Sequence, residues 1–348
     1  MTAEPAGLRV RSAKPAPSRG LNRTLWAWTQ VLGGAAILAV LLWRLGTGPF
    51  LDGVRTISGW SLAAGAAIAV VTTVCCAWRW RLVARGLGDD MPLRAAVAAY
   101  YRSQFLNTVL PGGVLGDVHR GVRQGLDVDD VGRGLRAVAW ERSAGQVVQA
   151  VLTLGVLVAL PSPVRSAAPV VAAGLVVVAL AAVLLGHLLP DSGPSRWARS
   201  VRTVSADIRH GLLDRRAWPG IVVASVIVVA GHTATFLIAA RTAGSTVSVF
   251  RMLPLVLLVL LATALPASVG GWGPREGMAA WAFGAAGLSA DLGVATAVVY
   301  GVMVLVASLP GAVVLLTTWL HGRSRHRDRE GPAEARTRAT AGSGTARA

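Results

Sequence analysis

Long apolar blocks restrict most strongly what this chain can fold into. Six of them are about as long as the ~20 residues that an α-helix needs to cross a bilayer, and none has the polar face of a surface helix in a soluble domain. They are Leu25–Trp43, Ile57–Ala77, Ala137–Leu160, Ala167–Leu189, Pro219–Ala240 and Leu292–Leu320. The sequence therefore predicts an all-α, polytopic membrane protein.

The charge of the chain fits the same interpretation. Only 15% of the residues are charged, against ~25% in a typical soluble domain, and the net charge is +17. The basic residues lie between the apolar blocks and in both tails, where they suit anionic headgroups and the positive-inside rule. We therefore expect anionic or phosphate-bearing membrane lipids as partners, and no nucleic acid.

Two further apolar stretches are interrupted. One runs from Leu93 to Leu110 and leads into the first break, residues 110–116; the other runs from Met252 to Phe283 and contains the second break, residues 265–274. Interrupted helices are tolerated at membrane depth only inside protein or along a polar cavity. We expect two re-entrant hairpins, with six to eight membrane helices depending on whether either hairpin crosses. The helix-breaking residues are Pro111, Gly112, Gly113, Gly116, Pro266, Gly270, Gly271, Gly273 and Pro274.

The distribution of arginines predicts an orientation. Both tails are rich in arginine, as are the connections on either side of Leu93–Leu110, so the positive-inside rule places all of them in the cytoplasm. The first hairpin then enters a cell (plasma) membrane from the cytoplasmic side, and the second enters from the outside. We expect basic, disordered tails over residues 1–23 and 321–348, around a membrane domain over residues 24–320.

The two breaks resemble each other. A shift of 155 residues superposes Leu110, Pro111, Val114, Gly116 and Arg120 on Leu265, Pro266, Val269, Gly271 and Arg275. Two repeat units follow, over about residues 57–160 and 212–320, and each consists of a span, a hairpin and a span. Because three crossings separate their starts, the units have opposite orientations. This pattern predicts an inverted-topology repeat, as in many transporters.

An arginine follows each break. A half-helix that begins at a break offers unpaired N–H groups and a positive dipole end, which suit the anionic part of a substrate. Arg120 and Arg275 would add planar guanidinium groups that match phosphate oxygens. We therefore expect a lipid-headgroup site at the breaks. The alternative is that both arginines only reach towards the interface or orient the chain.

Other polar residues in the apolar stretches are further candidates for the headgroup site. Asp117, Glu141, Arg142 and Glu276 are ionisable, and such residues are costly inside a membrane unless they have a function. Glu276 could pair with the arginine beside it, pair with the one after the first break, or carry a proton. A buried ion pair that only fixes helix packing is the alternative.

Arg102 and Asn107 lie on the first hairpin, where we expect them to face the same cavity. His119 and His232 have no partners at metal-ligand spacing, so we expect no metal and no cofactor.

The break motifs resemble those of a known family. The sequence LPGGVLGDVHR at residues 110–120 is similar to the first signature of the lysylphosphatidylglycerol synthase transmembrane region, also called the flippase-like family. LPASVGGWGPRE at residues 265–276 is similar to the second signature, and Glu141-Arg142 to a further family position. Leu115 stands where the family has glycine. The resemblance covers about residues 25–320.

The resemblance implies a flippase-like protein that moves a phospholipid or a polyprenyl-linked sugar between leaflets, with a possible glycosyltransferase or lipid-synthesis partner. Full-length synthases also carry a soluble aminoacyl-transferase domain. This sequence ends about 28 residues after the last block, so we expect no synthase activity. Two alternatives stay open: an enzyme of polyprenyl-phosphate-dependent glycosyl transfer, and a non-catalytic scaffold recruited through Arg196–Arg216 and the C-terminal tail.

Overall fold

A computed structural model describes residues 19–160, 162, 165–187, 203–265 and 268–320, without the side chains of 19–31, 178–179 and 181–187. The regular structure of the described residues is helical, which confirms the all-α prediction. The helices are α1 Arg19–Leu45, α2 Gly48–Arg55, α3 Gly59–Gly86, α4 Leu93–Val109, α5 Leu115–Asp127, α6 Val131–Ala159, α7 Ala168–His187, α8 Trp218–Thr242, α9 Val249–Ala262, α10 Pro274–Ala285 and α11 Ala290–Ser308. A short π-helix at Ile208–Leu212 precedes α8.

Four helices are long and apolar enough to cross a membrane. They are Gly59–Gly86, Val131–Ala159, Trp218–Thr242 and Ala290–Leu320, in which α11 continues beyond Leu309. Leu32–Leu45 and Gly48–Arg55 meet at 96° and form a fifth candidate if the bent pair is one span. The described residues thus contain four or five candidate spans, fewer than the six to eight predicted.

The difference arises at the first and fourth predicted blocks. Both are helical, as α1 and α7, but each lies partly among side chains that are not described. Helix α1 begins at Arg19, inside the segment predicted as a tail. The rest of that tail, the C-terminal tail, Pro266 and part of Arg196–Arg216 lie outside the described residues.

Helices α4 and α5 form a hairpin around the first break. Helix α4 has 17 residues, short of the ~20 needed to cross. Asp117 accepts a hydrogen bond from the Ser103 hydroxyl at 3.0 Å, and the Arg120 guanidinium lies 4.3 Å from the centre of the Tyr100 ring, so α5 runs back along α4. Gly116 was predicted to break a helix, which is wrong, because it lies in the first turn of α5. A Cβ on Gly116 would lie 2.0 Å from the Ser103 carbonyl oxygen, so glycine is needed for the close approach of the two helices.

The second break separates α9 from α10. Gly273 has φ 122°, a conformation that favours glycine, and its N–H donates to Glu276 Oε2 at 2.7 Å. Glu276 therefore caps α10. Pro274, which was also predicted to break a helix, instead lies in the first turn of α10, where its missing N–H costs nothing. The two breaks meet directly, because the Gly112 N–H donates to the Ser268 carbonyl oxygen at 2.9 Å.

The hairpins pack among the spans. Helices α3 and α8 lie against each other, α5 packs on α6, and α10 packs on α11. Helix α4 also touches α3 and α11, while α9 touches α8 and α6. Each hairpin is therefore enclosed by spans from both halves of the chain, which brings the two breaks together inside the protein.

Candidate functional site

A cluster of five charged side chains lies beside the first break. Helix α3 supplies one member, α5 supplies two from its first turns, and α6 supplies two adjacent residues that point to different neighbours. This arginine–carboxylate cluster consists of Arg79, Asp117, Arg120, Glu141 and Arg142.

Glu141 is the buried bridge of the cluster. Arg79 donates to Glu141 Oε1 from Nε at 2.9 Å and from Nη2 at 2.5 Å, and Arg120 Nη2 donates to Oε2 at 3.0 Å. The Tyr100 hydroxyl lies 3.4 Å from Oε1, and Glu141 has no exposed surface. This carboxylate ties α3, α5 and α6 together, so its position is that of a structural residue rather than of a headgroup ligand.

Arg120 is buried almost as completely as Glu141. Its guanidinium lies 4.4 Å from the centre of the Trp80 ring and 4.3 Å from that of Tyr100, and Nη2 also donates to Asp117 at 3.0 Å. Arg120 is 1% exposed. Stacking on aromatic faces stabilises a cation that has few hydrogen-bond partners. The expectation that Arg120 faces the cavity is therefore not supported; it positions Asp117 and Glu141.

Arg142 is the most exposed member of the cluster. Its Nη1 pairs with Asp117 Oδ2, and its side chain is 36% exposed. Asp117 also accepts from Ser103 Oγ at 3.0 Å and from Asn107 Nδ2 at 2.8 Å. Three guanidinium groups share two carboxylates in the cluster, which leaves one positive charge. That charge suits an anion.

Two adjoining cavities border the cluster and the breaks. The break cavity has a volume of about 280 Å³ and touches both breaks through Gly113, Ser268 and Gly270. The amide cavity has about 210 Å³ and is lined by Asp117, Arg79 and several side-chain amides. The residues that line both are Gln104, Asn107, Arg142, His232 and Thr263. The prediction of a polar cavity at the breaks therefore fits the fold.

A second ion pair lies beside the break cavity, which Arg275 lines. Arg275 donates to Glu276 Oε1 from Nε at 2.8 Å and from Nη2 at 2.5 Å, so Glu276 has the neighbouring arginine as its partner rather than Arg120. The Arg275 guanidinium lies 5.1 Å from the Trp272 ring centre and 5.4 Å from that of Tyr300. Glu276 itself has no exposed surface. Arg275 is thus a paired, aromatic-flanked cation on the cavity wall, in the position expected of it.

The remaining predicted residues differ in whether they line a cavity. Asn107 lines both cavities, as expected, and also accepts the Gly116 N–H at 2.8 Å. Arg102 is buried on α4 but lines neither cavity, contrary to expectation. His232 lines both, with Nδ1 2.9 Å from the Tyr300 hydroxyl oxygen. No group of three His, Cys, Asp or Glu side chains that could hold a metal occurs among the described residues.

Sequence reasoning missed several site residues. Arg79 stands between two tryptophans, a pattern that predicts the cytoplasmic end of a span, but α3 continues to Gly86 and buries it. Gln146 and Gln149 line the amide cavity from α6. Their spacing from Arg142 is that of one helix face, and this pattern was present in the sequence.

The chain was also compared with known proteins. No curated protein matches it. Residues 28–311, which include both breaks, the arginine–carboxylate cluster and the Arg275–Glu276 pair, match the model of a membrane protein family. The chain therefore belongs to the family described as the lysylphosphatidylglycerol synthase TM region.

Proposed function

We propose that the protein translocates a phosphate-bearing lipid between the leaflets of the membrane. The observation that carries this proposal is Arg142, which lies on the wall common to both cavities within a cluster that keeps one excess positive charge. A lipid phosphate needs such a cation, and arginine binds phosphate oxygens through paired hydrogen bonds. Removing a headgroup from water is the main barrier to its crossing, and a polar cavity lowers that barrier.

The breaks support the same proposal. Helices α5 and α10 both begin at a break beside the cavities, at Leu115 and Pro274. A helix N-terminus carries a partial positive charge. Together with Arg142 and Arg275, these termini make a region of positive potential between two enclosed hairpins, which favours an anionic group.

Within this proposal the two halves are an inverted repeat. The order of a long helix, two short helices and a long helix occurs twice, as α3 to α6 and as α8 to α11. The packing is reciprocal: α4 touches α11 while α9 touches α6, and α3 touches α11 while α6 touches α8. Such a pattern is expected if a pseudo-twofold axis in the membrane plane relates the halves. Rocking about that axis would expose the cavities to each leaflet in turn, with both termini in the cytoplasm.

Reconstitution tests the proposal. The purified chain is placed in liposomes with a panel of fluorescent phospholipids and polyprenyl-phosphate lipids, and their appearance in the opposite leaflet is timed with a membrane-impermeant quencher. We expect protein-dependent movement of at least one phosphate-bearing lipid. Movement no faster than in protein-free liposomes for the whole panel would contradict translocation.

The same preparation separates the two other functions. Product formation from a labelled sugar donor without lipid movement would favour the glycosyl-transfer enzyme. If the protein is a scaffold, substitutions that replace the charged side chain by a neutral one should leave the cellular phenotype intact at Asp117, Arg120, Arg275 and Glu276. Translocation instead predicts loss of function from changes at Arg275, which lines the break cavity.

A further inference from the structure

The amide cavity contains polar atoms that the fold does not use. Gln146 and Gln149 lie three residues apart on α6, and both line this cavity. Gln146 Oε1 and Gln149 Nε2 are buried and have no hydrogen-bond partner. A buried polar group without a partner costs roughly 1–3 kcal/mol, so a bound group that supplied partners to these two amides would be stabilised.

The two amides offer one acceptor and one donor on neighbouring turns of one helix. A hydroxyl group both donates and accepts, so it matches this pair. Gln104 lies on the facing helix α4, and its Oε1 accepts a hydrogen bond from the Thr73 hydroxyl at 3.1 Å. This bond fixes the position of a third amide on the cavity wall. The lining of the cavity is therefore suited to an uncharged group with several hydroxyls.

A cationic headgroup does not fit this cavity. Asp117 is the one carboxylate on its lining among the described residues, and it already pairs with Arg120 and Arg142. An ammonium group would meet Arg79 and Arg142 without a free acid to neutralise it. Unpaired charge in an enclosed site is strongly unfavourable.

We infer that the amide cavity is the subsite for a neutral, hydroxyl-bearing group attached to the lipid phosphate, such as glycerol or a sugar. This inference rests on the proposed function, since it names the class of headgroup that is moved. The phosphate lies against Arg142 on the wall shared with the break cavity, and the hydroxyls meet Gln146 and Gln149. A volume of about 210 Å³ is that of roughly seven water molecules, enough for a small polar headgroup.

Binding of soluble headgroups to the purified full chain in detergent tests the subsite apart from transport. The probes are glycerol 1-phosphate, glucose 1-phosphate, methyl phosphate and phosphocholine, measured by calorimetry. We expect at least one of the two hydroxyl-bearing phosphates to bind about tenfold more tightly than methyl phosphate, and phosphocholine to bind most weakly. Which of the two binds more tightly distinguishes a glycerol from a sugar headgroup.

The variant Q146L/Q149L should lower the affinity for the favoured probe to that for methyl phosphate. It should change the affinity for methyl phosphate itself by less than twofold. Ser143→Leu, on the exposed face of the same helix, is the matched control and should change neither affinity. Equal binding of all phosphates, tightest binding of phosphocholine, or equal weakening of both probes by the double variant would overturn the inference. If that variant does not fold, the order of the four probes on the unmodified chain still decides. Hydroxyl preference without lipid movement in liposomes would contradict the proposed function and leave the subsite standing.

Discussion

The amide N–H of Gly112 donates a hydrogen bond to the carbonyl oxygen of Ser268 at 2.9 Å, and this contact joins the two breaks. The residues are 156 positions apart and belong to different hairpins. Beside them, an ideal Cβ on Gly113 would lie 3.9 Å from Ser268 Cβ. The breaks therefore form a single layer that borders the break cavity.

A disulfide should form across this layer. The separation of 3.9 Å between the Cβ positions of Gly113 and Ser268 falls within the ~3.5–4.5 Å range of disulfides. We expect Gly113→Cys with Ser268→Cys, in a chain with Cys75 and Cys76 changed to alanine, to cross-link intramolecularly under mild oxidation, although the φ of 63° at residue 113 favours glycine and will lower the stability of the variant. Protease fragments that stay joined until reduction are the readout, with each single cysteine as control. Fragments that never stay joined would mean that the breaks are apart.

Glu141→Gln should strongly destabilise the fold. The substitution removes the negative charge that Arg79 and Arg120 share in a site without solvent exposure, and breaking a buried pair typically costs ~3–5 kcal/mol. Thermal unfolding in detergent measures the effect. Asp90→Asn removes an exposed carboxylate paired with Arg81 and Arg85 and should change stability by no more than ~1 kcal/mol. Equal melting temperatures for the two variants would show that Glu141 is not a structural bridge.

Arg120→Lys should lower stability although it keeps the charge. Lysine cannot lie flat between the rings of Trp80 and Tyr100 while pairing with two carboxylates, and a desolvated cation–π contact is worth up to ~2 kcal/mol. The same unfolding assay applies. A variant with unchanged melting temperature and lost lipid movement would instead make Arg120 a direct headgroup ligand.

Gly301→Val should displace the guanidinium of Arg275. A Cβ at Gly301 would lie 2.3 Å from Arg275 Nη2, so the guanidinium must leave its place beside Tyr300. We expect lipid movement to fall about tenfold, in keeping with the loss of one charge-assisted hydrogen bond, while the chain still reaches the membrane. Gly155→Val, in α6 with nothing within 4 Å of its Cβ, is the control. Equal rates for both variants would remove Arg275 from the site.

The sequence predicted the parts of the fold that depend on local patterns. Apolar blocks of sufficient length correctly indicated α3, α6, α8 and α11, and Pro and Gly marked where the hairpins turn. Gly116 was misassigned, because glycine serves close packing as well as chain reversal, and only the neighbour Ser103 distinguishes these roles.

The site was less predictable than the fold. The sequence pointed to Arg120 and Arg142 alike, but which of them faces a cavity depends on Trp80 and Tyr100, which come from other helices. Arg79 and Ser225 lie 146 residues apart and meet at 3.0 Å, a contact that no local pattern encodes. The burial of Arg79 and the partners of these charges both depend on how the helices pack, so neither could be predicted from local sequence.

Lipid movement in liposomes by Arg142→Gln tests the central claim most directly. Arg94→Gln is the matched control, because Arg94 is exposed in the first turn of α4. Loss of charge-assisted hydrogen bonds to a phosphate costs ~1.5–3 kcal/mol, so we expect Arg142→Gln to move the lipid at least about tenfold more slowly than the unmodified chain. Arg94→Gln should stay within twofold. Equal rates for the two variants would contradict the assignment of Arg142 as the cation that receives the lipid phosphate.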